Sequence, residues 1–205
     1  MAEDFEGPVV VRGLIDVKTQ STRPGRVKAD TFEAPPGFGT FQGFLVNVKR
    51  IQCSFIKIAT GGDIELANAD CAEEFEVDET CSQAPAPGSV VVLGEHGGLR
   101  LASYAYDKRV VGVVSGGGEF KPGIVLDKRG GESGRIAVAL LGKVACQVDA
   151  TREPVEVGDL LTTSGTPGHA MKASSPSQAL GAILGKALRP LPEGKGLVPI
   201  LVALQ

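Results

Sequence analysis

Apolar and polar residues alternate at short range along the first sixty positions, in Val9–Lys18, Arg26–Glu33, Gly43–Arg50 and Cys53–Ala59. A period of two sends successive side chains to opposite faces, which predicts half-buried antiparallel strands. Thr22–Gly25 and Ala34–Gly39, with its Pro35-Pro36-Gly37, divide these runs as turns. Gly61-Gly62 punctuates the chain, a further strand is expected over Asp63–Ala67, and Ala84-Pro85-Ala86-Pro87-Gly88 makes a second joint. The pattern places a boundary near residues 61–68. It predicts an N-terminal β region over 1–67, serving as a stem or scaffold attachment, and a compact C-terminal β domain over 68–205.

Beyond the second joint the pattern repeats itself imperfectly. Pro87–Leu93 opens a strand, Gly97-Gly98 turns, Leu99–Ser103 returns, and Arg109–Gly116 forms a strand with Gly112 inside it. About seventy residues on, Val157–Thr162, Pro167-Gly168, His169–Ser174 and Ala179–Lys186 follow the same order. Glycine inside a buried strand marks a bulge or a close approach of another backbone. Two such halves are expected to close one barrel-like sheet. Between them run Pro122–Lys128 and Arg135–Asp149, the latter reading as two strands bent at Gly142. Leu197–Leu204 is apolar throughout and has to be covered, by the core or by a neighbouring subunit.

Composition agrees with an all-β fold: 28 glycines and 13 prolines are spread along 205 residues, and tryptophan is absent. A chain of this length buries roughly 70% of its unfolded surface, so size alone demands no disulfide or metal staple. No apolar run approaches the length that spans a bilayer. The acidic start, Met1-Ala2-Glu3-Asp4, is unlike a signal peptide, so synthesis in the cytoplasm is expected. Cys53, Cys71, Cys81 and Cys146 include no C-x-x-C pair, and His96 and His169 stand far apart, which argues against a zinc site. Four thiols in a reducing compartment are expected, with a Cys71–Cys81 bridge as the alternative.

The net charge of −3 conceals a segregation. Val9–Thr60 carries eight Lys or Arg against three Asp or Glu, and Gly61–Glu95 carries nine acids and no base. Apolar strands interrupt the basic stretch, so it reads as solvated strand faces and not as a nucleic-acid arm. The acidic stretch is expected to dock on basic N-terminal strands of its own or an adjacent subunit, or else to be a solvated turn.

Within that stretch, Ala69-Asp70-Cys71-Ala72-Glu73-Glu74-Phe75-Glu76 resembles the opening A-D-x-A-E-x-F-E signature of the intramolecular chaperone, autoproteolytic domain of phage neck appendages and tail fibres, the G2 peptidase family. The strands that follow keep that domain's order, so the resemblance covers about residues 68–205. It implies a homotrimer that helps a fibre assemble. It also implies a scissile bond at Ala69–Asp70, with Glu73 as catalytic carboxylate and Asp70 assisting. Crowding of Glu73, Glu74 and Glu76 is a reason to expect one carboxyl to titrate high enough for proton transfer. Cys71 departs from the family, in which an aromatic is expected, and only about 67 residues precede the signature, whereas family members carry a long fibre there.

Other motifs carry less. The Gly116–Gly118 run after a strand lacks the Lys-Ser or Lys-Thr of a phosphate loop. Ser115, Ser133 and Ser164 lie in Gly-rich turns without the G-x-S-x-G context of a hydrolase. No cofactor is expected. The sequence therefore points to a structural or assembly module of a virion or phage-tail-like particle, acting as a homotrimer with other structural proteins of that particle. A self-cleaving chaperone is the first alternative, and a capsid-decoration or receptor-contacting module the second.

Overall fold

The structure, a computed structural model, describes residues 60–61, 63–66, 69–81, 84–95, 97–129 and 134–204. The strands expected before residue 60, their docking to the acidic stretch, and Cys53 and His96 lie outside the described residues. Every described strand belongs to a compact unit, Ile64–Gln205. Asp63–Leu66 forms no strand and is exposed, against the alternation read there.

Among the described residues, the unit holds ten strands and one four-residue helix. They are β1 Asp70–Glu76, β2 Val90–Leu93, β3 Leu99–Leu101, β4 Val110–Val114, β5 Pro122–Leu126, β6 Arg135–Asp149, β7 Leu160–Thr163, β8 Ala170–Lys172, α1 Pro176–Ala179, β9 Ile183–Ala187 and β10 Lys195–Ala203. The fold is all-β, and five strands close a barrel. Around the ring, β10 pairs β9, β9 pairs β7, β7 pairs β8, β8 meets β6 at Val148 opposite Ala170, and β6 returns to β10. Closure leaves none of these five strands at a sheet edge.

The internal repeat is visible bond by bond. β2 lies between β3 and β4 as β7 lies between β8 and β9, all antiparallel. Gly88 N–H donates to Val114 O at 2.8 Å, and Gly158 N–H donates to Ala187 O at 2.8 Å. Val114 N–H donates to Ser89 O, and Ala187 N–H to Asp159 O. Gly88 and Gly158 enter their strands at φ of 90° and 89°, a left-handed conformation that glycine alone adopts without strain. Gly112 stands opposite Val91 and Gly185 opposite Leu161, each beside a register shift of the same kind.

The two halves do not close one sheet between them, however. Only the second half, together with β6 and β10, forms the ring; the first half is attached through β4 on β6. The reason lies in β6, which is one strand and not two. Its first part, Arg135–Gly142, pairs with β1, and its second part, Leu141–Asp149, with β10. Leu140 is skipped in the β1 pairing and Gly142 follows at φ 105°, so the strand bends there and passes from one set of partners to the other.

Alternation along the strands fills the centre. Val144, Cys146 and Val148 of β6, Leu161 of β7, Leu184 and Ala187 of β9, and Val198, Ile200 and Val202 of β10 are all buried in one cluster. Val90, Val92 and Val113 from the first half join it, while Val91, Leu99, Val114 and Val138 form a second, smaller cluster with Phe75 against it. The apolar C-terminal segment is thus covered by its own barrel along one face. Cys71, Cys81 and Cys146 are free thiols, so Cys71 and Cys81 are not bridged. Burial pushes the Cys146 thiol far up from its ordinary value and leaves it inert.

Candidate functional site

The signature Ala69–Glu76 is not a solvated turn. From Asp70 onward it is a strand held on both sides, parallel to β5 and antiparallel to β6. Both register shifts fall where a partner skips a residue, Gly123 on β5 and Leu140 on β6, so β1 itself alternates without interruption. Asp70, Ala72, Glu74 and Glu76 therefore share one face of β1, and Cys71, Glu73 and Phe75 share the other.

That alternation divides the carboxylates. Asp70 is buried, and its two carboxylate oxygens accept from Ser115 Oγ at 3.0 and 2.8 Å. Ser115 is itself buried at the end of β4, held by its N–H on Ala137 O at 2.8 Å. Burial raises the Asp70 carboxyl above its ordinary value, and the Ser115 hydrogen bond only partly opposes this. Glu74 and Glu76 face the nearly buried Arg135 guanidinium at 3.9 and 3.6 Å, and Asp127 lies 2.6 Å from the same group. Through that hydrogen bond Arg135 draws the Asp127 carboxyl below its usual range. Glu73 stands on the other face of β1 from Glu74 and Glu76, which share the single Arg135 charge with Asp127.

The Ala69–Asp70 bond is fixed as tightly as the strand it opens. Ala69 N–H donates to Lys121 O at 3.0 Å, and Ala69 O accepts from Lys143 N–H at 3.3 Å. Gly142 stands opposite Asp70 with its backbone against the bond. A Cβ there would come within 2.6 Å of Ala69 O and 3.1 Å of Asp70 Cα, so only glycine permits the approach. Chemically, the Lys143 amide polarises the Ala69 carbonyl, and a carboxyl that stays protonated to higher pH lies beside the amide nitrogen that would leave. The structure brings Asp70 to the bond. It places Glu73 three residues along the strand and on its other face.

Ser115, Gly142 and the Lys143 amide were not legible as site residues. Ser115 carried no signal except as a nucleophile lacking its motif, and Gly142 read only as a bend. The turn histidine His169 lies in the β7–β8 loop with Nδ1 2.8 Å from Pro167 O, away from these groups.

The Asp70 environment makes a pH prediction. A carboxyl whose folded pKa is raised contributes stability that is fully present below its unfolded value of 3.8 and lost as pH rises through the folded value. Asp70→Asn, which keeps the shape and an acceptor for Ser115, is expected to melt higher than the parent at pH 7. The two should converge as pH falls to about 3.5. A difference in melting temperature that stays constant over this range in calorimetry would show that ionisation of Asp70 is not the cause.

No protein-family model matches the chain, and no curated protein matches it. Among solved structures it is similar to the C-terminal fragment of bacteriophage phi29 gene product 12, with 20% identity, covering 65% of this chain and 100% of that chain at a TM-score of 0.43. It is also similar to the head fiber gp8.5 N base of bacteriophage phi29, with 16% identity, covering 66% of this chain and 90% of that chain at a TM-score of 0.31.

Proposed function

We propose that the chain is a structural and assembly module of a phage-tail-like or other virion appendage, acting as a homotrimer beside other structural proteins of the particle. The observation that carries this reading is a row of side chains crossing four strands on one face of the sheet. Ile124 of β5 pairs with Cys71 of β1, Cys71 with Leu141 of β6, and Leu141 with Ala203 of β10. Paired residues point to the same face. Leu141 is 61% exposed and Ile124 45%, and exposed Leu126 and Leu201 stand in adjacent rows. A contiguous apolar row of this kind is what self-association covers. Three copies are the number that the signature's resemblance implies.

Leu141→Glu tests the proposal. A side chain so exposed contributes little to the fold of one subunit, so the substitution should leave the melting curve of a single chain within about 0.5 kcal/mol. It places a charge in the proposed interface, and sedimentation at micromolar concentration should then show monomer where the parent shows trimer. A monomeric parent, or a trimer indifferent to Leu141→Glu, would contradict the assignment.

A self-cleaving chaperone is the second reading. The observation favouring it is the buried, Ser115-bound Asp70 directly after a carbonyl that the Lys143 amide polarises.

A further inference from the structure

A cleft of about 380 Å³ is lined by Ala105 and Tyr106 after β3, by residues at and after the end of β6, by the β7–β8 turn, and by β8 and the loop that follows it. That volume lies within the roughly 300–1,000 Å³ of small-molecule sites. Neither the strand face nor the Ala69–Asp70 bond involves it. Tyr106 and Met171 supply its apolar wall, and Asp149, Arg152, Glu153, Ser164, Thr166, Lys172 and Ser174 supply its polar one.

Tyr106 is held in place against its own preference. Its φ of 57° is left-handed, which a bulky residue adopts only when its surroundings fix it there. Three bonds do so. Tyr106 N–H donates to Thr163 O at 3.3 Å, Asp107 N–H donates to Thr163 Oγ1 at 2.7 Å, and Ser175 N–H donates to Tyr106 Oη at 2.9 Å. Because Oη accepts from Ser175, its own hydrogen remains to donate. Strain of this order clusters at ligand sites.

The polar lining offers donors and acceptors in alternation and little net charge. Ser164 is buried, and its Oγ accepts from Thr166 N–H at 3.1 Å, which leaves the hydroxyl hydrogen to donate. Arg152 makes no ion pair among the described residues. Glu153 accepts from Ser174 and lies 3.8 Å from Lys172, with lone pairs to spare. Asp149 accepts from Thr151 and Thr166. Two carboxylates against two cations leave no field that would select an ion.

We propose that this cleft binds a neutral saccharide. Each hydroxyl of a sugar both donates and accepts, so a ring of adjacent hydroxyls matches a wall where Tyr106, Ser164 and Arg152 donate while Glu153 and Asp149 accept. The C–H face of the sugar matches the Tyr106 ring and the Met171 side chain.

The test is a glycan array probed with the full-length chain. It carries neutral hexose and N-acetylhexosamine oligosaccharides, with uronate-containing and sialylated glycans beside them, and the best ligand is then titrated by calorimetry. Retention of neutral glycans is expected. Losing one hydrogen bond to a charged group lowers affinity by about tenfold or more, so Arg152→Ala and Glu153→Gln should each show that loss. Both side chains are on the surface, and an unchanged melting temperature confirms that the fold is retained. The proposal is overturned if no neutral glycan is bound, if only acidic glycans are bound, or if both variants bind as the parent does.

Discussion

Gly185→Ala is expected to destabilise the fold severely, and Gly112→Ala to come close to it. A Cβ on Gly185 would stand 2.1 Å from Leu201 O, and one on Gly112 would stand 2.4 Å from Ala139 O and 2.8 Å from Val138 Cγ1. In each case the obstructing atom is a backbone carbonyl of a neighbouring strand, which cannot rotate aside as a side chain would. Relief requires β9 to part from β10, or β4 from β6, and the first separation opens the closed barrel. Overpacking a core costs about 1–3 kcal/mol where side chains can adjust, and more where they cannot. We expect the cost at Gly185 to exceed that range. In a domain of this size about 3 kcal/mol lowers the melting temperature by roughly 6–12 °C. Gly158→Ala is the control, since its φ of 89° carries strain but nothing lies within 4 Å of the added carbon. It should cost about 1–2 kcal/mol. Circular-dichroism melting of the three variants checks the order. If Gly185→Ala and Gly158→Ala melted together, the close approach would not be what fixes glycine at 185.

The same two glycines mark how far the sequence can be read. Their places within apolar runs signalled close backbone approach, and the spacing of about seventy residues signalled a repeat; both are local patterns, preserved because each half repeats the same turn and strand chemistry. What closes the ring is not local. The bend of β6 at Leu140 and Gly142 hands the strand from β1 to β10, and nothing in Arg135–Asp149 names those partners. Nor did the pattern reveal that β5 runs parallel to β1, because period-two alternation is the same for either direction. The candidate site divides in the same way. Asp70 and Glu73 were legible as residue types in a signature, whereas Ser115 reaches Asp70 across 45 positions and Lys143 reaches Ala69 across more than seventy. Contacts at such separations follow from topology, which the strand pattern left open.

Freshly purified protein is expected to give one mass, that of the full chain, and to keep it through incubation from pH 5 to pH 8. Cutting the Ala69–Asp70 bond needs a nucleophile in line with the Ala69 carbonyl and a proton for the departing Asp70 nitrogen. The Lys143 amide supports the first requirement by polarising the carbonyl, and a protonated Asp70 could serve the second. Glu73 is the carboxylate that would activate water, and strand alternation turns it to the opposite face of β1 from Asp70. Three residues of extended strand, about 10 Å, also separate it from Asp70, so within one subunit Glu73 stands away from the Ala69–Asp70 bond while β1 remains paired with β5 and β6. The hydrogen bonds of Ala69 to Lys121 and Lys143 keep that strand in place up to the bond itself. Intact-mass spectrometry decides the matter with three variants. Glu73→Gln, Asp70→Asn and Ser115→Ala should all match the parent as single full-length species. Fragments corresponding to residues 1–69 and 70–205, lost in Glu73→Gln, would establish Glu73 as catalytic and replace the structural reading with the self-processing one. Fragments that persist in Glu73→Gln but vanish in Asp70→Asn and Ser115→Ala would assign the chemistry to the buried pair instead.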